Sequence, residues 1–316
     1  MISRLCEQLC TYSPEEWRRA VGVISASIHE IDRSATKIWL AFWPLELHQA
    51  LESSSDPVAL ARKLGLMGRW RLADQIDESH RFLYAHRYWP QVKNAMAADR
   101  DWPGELPATI TAVADAAART ARTDREMLLG MSVVGLMTLR QVGAAAFAAA
   151  PGRICLDIAA RRKSPHQVMS RRGKDDWQGP LGFLRGSRKT WTVTFDENDA
   201  DAKFQVINGQ EIATAAQGDK REYRSKDTRC TPGEGPIPVE CRAASCGTCW
   251  VGVIAGAEKL SPVVERDEGR RMKVFGYAQG DGPTPLIRLA CQARAFGAVS
   301  LVIPPWNGMM GAVLKS

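Results

Sequence analysis

Three cysteines fall within the run Cys241-Arg242-Ala243-Ala244-Ser245-Cys246-Gly247-Thr248-Cys249, and a fourth, Cys291, stands in Arg288-Leu289-Ala290-Cys291-Gln292. The spacing C-x4-C-x2-C followed by a remote cysteine suits thiolates gathered round a two-iron, two-sulfide cluster. Such a cluster is only a few ångströms across, so its ligands must converge. A loop can wrap it only if the backbone curls tightly and aims its N–H groups at sulfur, which calls for small residues. Ala243, Ala244, Ser245, Gly247 and Thr248 supply them, and Gly247 can take a positive φ between two ligands. Zinc also takes four thiolates, but its structural sites favour two matched short-spaced pairs. A disulfide set would need an oxidising compartment, to which nothing here points. The expected cofactor is therefore a [2Fe–2S] cluster on Cys241, Cys246, Cys249 and Cys291, with no catalytic residue beside it.

The flanks extend the pattern. Residues 191–195 and 204–207 alternate as strands do and are joined by an acidic turn. Residues 251–256 and 299–304 form two further apolar runs on either side of Cys291. From about Lys189 to Pro305 the chain resembles the plant-type [2Fe–2S] ferredoxin family. The resemblance implies a β-grasp fold with a mixed sheet, a crossing helix and a cluster loop near the surface. It also implies one-electron transfer, with Cys241 and Cys246 on an outer iron and Cys249 and Cys291 on an inner one. Two stretches depart from it: an insertion over 218–235, holding a lone Cys230, and a long segment between Cys249 and Cys291.

A chain of 316 residues is too long for that domain alone. Its net charge of +7 is unevenly placed: residues 1–150 hold 17 basic and 17 acidic side chains, residues 190–316 hold 15 of each, and residues 151–189 hold 10 basic and 3 acidic. The whole excess thus lies in one connecting stretch. The remaining cysteines, Cys6, Cys10, Cys155 and Cys230, are scattered, as in a reducing compartment. The first residues lack an apolar signal core. Both features predict a cytoplasmic protein.

Residues 1–150 show helical periods and no strand-like alternation, and predict an all-α bundle of six or seven helices. Ser13-Pro14-Glu15-Glu16 marks a helix start. A helix from Ile38 is expected to continue past Pro44, and residues 72–88 are expected to be helical. Residues 127–150 are apolar enough to test as a membrane span, but Arg140 in the middle favours a central bundle helix. His29, His48, His80 and His86 are the candidates for a second cofactor, haem or a di-metal centre; Asp77 and His80 have the i, i+3 spacing of di-iron bundles, without the paired Glu-x-x-His motifs those sites use. Cys6 and Cys10 share a helix face. Trp39, Trp43, Trp70 and Trp89 are suited to core packing or to docking.

The expected organisation is α+β: an all-α helical docking domain over 1–150, a basic, loop-rich linker over 151–188, and a [2Fe–2S] ferredoxin-like domain over 189–316. With no nucleophile–base pair, phosphate loop or dinucleotide fingerprint, the chain is expected to carry single electrons as a subunit or dedicated partner of a larger protein oxidoreductase. Trp306, near the chain's end, is a candidate interface anchor or else packs back onto its own domain. Two alternatives stay open: a self-contained redox enzyme with a second metal or haem in the helical domain, and an iron–sulfur sensor acting as a regulatory binding module. Nucleic-acid binding is disfavoured, because no aromatic-interleaved motif accompanies the basic stretch. No transmembrane span is expected, and peripheral membrane association stays open.

Overall fold

A computed structural model describes residues 2–154, 156–174, 189–275, 277 and 284–306. The chain divides into two compact units, one of Met1–Gln49 with Arg71–Arg161, the other of Ala50–Trp70 with Arg162–Ser316. The expected domain boundaries differ on this point. Residues 50–70, whose periodicity reads as more of the helical domain, belong to the cluster-bearing unit: there the Arg69 N–H donates to the Pro305 carbonyl at 3.1 Å. Helical period alone does not say which core an amphipathic segment packs on.

The helical unit opens with α1 (Ile2–Thr11) and α2 (Pro14–Ile24). Ser13 caps α2 as expected: its hydroxyl accepts from the Glu16 N–H at 3.2 Å, and the Glu16 carboxylate accepts from the Ser13 N–H at 2.7 Å. The next helix does not run through Pro44. α3 (Glu30–Phe42) ends before it and α4 (Leu45–Glu52) starts after it, because proline disfavours a helical residue ahead of it and Trp43 leaves the helical region at φ −122°, ψ 59°. After α5 (Pro57–Lys63), which lies in the other unit, residues 72–88 form only short 3-10 turns at Leu72–Gln75 and Tyr84–Tyr88. A buried carboxylate explains the second of these: Asp32, fully buried on α3, accepts from the N–H groups of Tyr84 and Ala85 at 2.6 and 2.8 Å. Those donors are therefore not spent on helix carbonyls.

α6 (Trp89–Ala97), α7 (Leu106–Ala121) and α8 (Arg125–Ala149) complete the bundle. α8 is its spine, packed against α1, α3, α6 and α7. It is the one helix among the described residues long and apolar enough to cross a membrane, and 78% of its most apolar window is buried, as expected of a core helix. At Gly130 a Cβ would stand 2.4 Å from the Thr36 hydroxyl, so α3 can approach only where the side chain is absent.

The stretch expected as a loop-rich linker is partly helical among its described residues. It forms α9 (Ile158–Arg162) and α10 (Pro165–Arg171), the latter with a full capping box at Ser164 and Gln167. Arg172 then makes a bidentate ion pair with Glu197 at 2.7 and 2.9 Å, and Lys259 donates to the Gly173 carbonyl. Its arginines are thus partly structural, which charge counting does not reveal. Cys155 and residues 175–188, with Arg185 and Arg188, lie outside the described residues.

The second unit is built on a five-stranded mixed sheet of β1 (Thr190–Thr194), β2 (Lys203–Ile207), β4 (Trp250–Ala255), β5 (Ile287–Leu289) and β7 (Val299–Val302), in the order β2-β1-β7-β4-β5. β1 and β7 are parallel; the other pairings are antiparallel. β3 (Gln210–Glu211) and β6 (Arg294–Ala295) form a second small sheet. α11 (Ile212–Ala216) packs against β2 and buries Ile212, Ala213, Ala215 and Ala216, and α12 (Arg270–Phe275) follows a π-turn at Glu265–Gly269. The 218–235 insertion is tied down rather than free: Arg221 grips Asp219 and donates to the carbonyls of Asp201 and Lys203. Trp306 is 1% exposed, as the second of its two expected roles, packing onto its own domain, requires; residues 307–316 lie outside the described residues.

The alternative of a second cofactor on the histidines is not supported by the contacts of His29, His80 and His86. His80 and His86 face one another, Nδ1 to Nδ1 at 2.8 Å, buried against Trp89, and His29 Nδ1 caps α3 by accepting from the Ile31 N–H. Burial drives His80 well below its ordinary 6.5 and brings His86 down to about 4. The unfolded chain takes up protons near 6.5 and the folded chain does not, so stability is unaffected above that pH and falls as pH drops from 6.5 toward 4. Each pH unit in the window removes up to about 1.4 kcal/mol per histidine. The urea midpoint of the far-ultraviolet signal is expected to fall clearly between pH 7 and pH 5.5, above the range where ordinary carboxylates titrate; an unchanged midpoint would contradict the buried neutral pair.

Candidate metal centre

The cysteine triple sits in the loop leading into β4, and Cys291 follows β5. Pairing of β4 with β5, Trp250 opposite Leu289, carries the two segments together. The Ala290 N–H donates to the Cys249 carbonyl at 2.9 Å, and the Ala213 N–H on α11 donates to the Ala290 carbonyl at 2.9 Å. The residue just before the remote cysteine is thus held through both its N–H and its carbonyl.

The structure brings the four cysteines together as two couples. Cys241 interacts with Cys246, and Cys249 with Cys291. The first couple is half-buried and the second buried. Three N–H groups, those of Ala243, Ser245 and Cys246, point at the Cys241 sulfur at 3.3–3.4 Å. The Thr248 N–H and hydroxyl point at Cys246, the hydroxyl at 3.1 Å. Gln292 Nε2 donates to the Cys291 sulfur at 3.5 Å. Burial works against ionisation of Cys241, but these donors outweigh it and bring the thiol down to about 6. The hydrogen bond from Cys249 brings Cys291 down to about 7 and correspondingly raises Cys249. Thiolates are the metal-binding form. Cys230 stands apart: it is buried, its sulfur lies 3.5 Å from the Pro236 carbonyl, and burial pushes it up to about 12. Cys6 and Cys10 meet on α1, in the helical unit, and burial raises Cys6.

The loop is wound as the sequence requires. Gly247 has φ +72°, and a Cβ there would enter the Phe275 ring at 2.3 Å. Arg242 and Ala244 also take positive φ, +52° and +55°, a strained conformation for residues with a Cβ, of a kind that clusters at functional sites. Phe275 packs edge-on against Trp250, as does Tyr277, so an aromatic cluster backs the loop on one side.

A buried ion pair steadies the other segment. Glu268 accepts from Arg288 Nε and Nη2, both at 2.8 Å, and from the Leu289 N–H at 2.6 Å; Arg288 also donates to the Ser261 carbonyl. Both side chains are at most 3% exposed. Reading the sequence missed this clamp and the Phe275 packing. The one available signal was a charged residue, Arg288, placed between apolar neighbours three positions before a ligand candidate.

Among the described residues no three His, Cys, Asp or Glu side chains converge as the ligands of a single metal ion. Two thiol couples, with N–H groups aimed at sulfur, suit four-cysteine ligation of two irons. Residues 228–296 match the family model of the 2Fe-2S iron-sulfur cluster binding domain. This part of the chain binds a [2Fe–2S] cluster. All four cysteines lie inside the match, while β1 and β2 lie before it. No curated protein and no solved structure matches the chain.

Cys246→Ser is expected to abolish or strongly destabilise the cluster, read from visible absorbance and the reduced-state EPR signal, whereas Cys230→Ser leaves both unchanged. Survival of the signal in the first variant with loss in the second would overturn this ligand set. Glu268→Ala leaves the Arg288 guanidinium buried without its partner, a change that costs about 3–5 kcal/mol. A marked drop in the denaturation midpoint and faster loss of cluster absorbance are expected.

Proposed function

We propose that the second unit is a plant-type ferredoxin domain of β-grasp topology, ligating its cluster through Cys241, Cys246, Cys249 and Cys291. The half-buried couple, Cys241 and Cys246, would hold the outer iron and the buried couple the inner one. That asymmetry of exposure is the observation that carries the reading, since an electron carrier must bring one edge of its cluster near the surface. When bound, the cluster supplies a one-electron couple. The chain's own part is to hold four thiolates, aim N–H groups at them and bury the inner pair. The chain is then an electron-carrying subunit or dedicated partner of a cytoplasmic protein oxidoreductase, a role that fits a cluster with no second metal-binding group of His, Cys, Asp or Glu among the described residues.

Two irons per chain and no Soret band are expected on purified full-length protein, with a midpoint on the order of −400 mV. A midpoint above zero would require histidine in the ligand set and defeat the all-thiolate assignment. Substrate turnover by the chain alone would replace the carrier reading with that of a self-contained enzyme.

A further inference from the structure

The outer face of the cluster unit's sheet holds a cleft of about 450 Å³, lined entirely by residues of that unit. Its floor comes from Thr192 and Thr194 on β1 and Ser300 on β7. Val193 between the threonines is fully buried in the opposite direction, and Thr194 is in register with Ser300. A sheet face covered by a helix is ordinarily lined with branched apolar side chains. Here it carries hydroxyls, which can donate to an anion.

The walls are basic. Lys163, Arg171, Arg172 and Lys174 come from α10 and its flanks, and Lys203 from the start of β2; two carboxylates, Glu197 and Asp199, face them. Both carboxylates are already engaged. Glu197 is held by Arg172, and Asp199 accepts from the Asp201 N–H at 2.9 Å. Among the described residues, five cations against two carboxylates leave an excess of three positive charges in one concavity. Four of the five belong to the stretch that carries the chain's whole net charge. Like charges gathered over a low-dielectric wall repel unless a counter-anion joins them, and a cleft focuses their field on its interior.

We propose that this cleft binds a small molecule bearing two or more phosphate groups. A pair of linked phosphates carries roughly the charge needed to neutralise the excess, lysine and arginine are the side chains suited to it, and the volume lies within the range of small-ligand sites.

The test is calorimetric titration of the full-length, cluster-loaded chain with inorganic pyrophosphate at physiological salt. Saturable one-site binding is expected, weakened about tenfold or more in Lys174→Ala and in Lys203→Ala, both exposed positions. Lys226→Ala, an exposed lysine that does not line the cleft, should bind as the parent does. Unchanged cluster absorbance shows that each variant is folded. Absence of saturable binding up to millimolar concentration, or equal affinity in the cleft and control variants, overturns the proposal. So does tighter binding of a poly-glutamate peptide than of pyrophosphate, which would assign the cleft to an acidic protein segment instead.

Discussion

The second unit depends on one constraint: two segments far apart in the chain must place sulfurs side by side while keeping one couple buried. Backbone bonding does most of this. β4 and β5 pair immediately after Cys249 and before Cys291, and the Ala290 amide is shared between the two ligand segments. A hydrogen-bonded strand pair is stiff, so the chain's own backbone holds Cys249 and Cys291 side by side. The three-cysteine loop has no such partner strand. It is shaped instead by positive φ at Arg242, Ala244 and Gly247 and by the aromatic wall of Phe275 and Trp250.

Charged groups within the fold serve the same end. Burying ions is expensive unless every donor and acceptor is met. Glu268 meets both guanidinium edges of Arg288 and one amide, Asp32 meets two amides of a chain segment that forms no α-helix, and Arg172 meets Glu197 bidentately. In each case the ionic group holds a segment whose own hydrogen bonding would leave it loose. The helical unit shows the neutral counterpart, two imidazoles that share one Nδ1–Nδ1 hydrogen bond and that burial keeps uncharged.

The uneven charge of the sequence also takes on a different meaning in three dimensions. The basic stretch after residue 150 reads as a solvated tether. Folded, its described part divides between structural pairing, as at Arg172, and the wall of a hydroxyl-floored cleft. Composition reports how much charge a segment carries; only packing decides whether that charge is spent or left facing a cavity.

The candidate ligand set was legible in the sequence because cluster geometry would dictate it: four thiolates must meet within a few ångströms, so their spacing and the small residues between them are constrained locally. The strands over 190–194, 203–207 and 299–302 were legible for a similar reason, since alternation is a local property. The break at Pro44 follows from local chemistry too, although apolar periodicity on both sides masked it. Other features depended on contacts between residues distant in the chain, and no local pattern encodes them. Residues 50–70 have a helical period that fits either core. The 72–88 segment is apolar enough for a helix, and Asp32, some fifty positions earlier, takes its amides. Trp306 fits an interface anchor or a core position equally well until the fold buries it. The Glu268–Arg288 clamp joins two residues whose separate positions carry no signal. Spacing and periodicity determined the candidate ligands and the strands around them; tertiary structure decided which buried charges hold them in place, because partner choice across the fold is a property of packing.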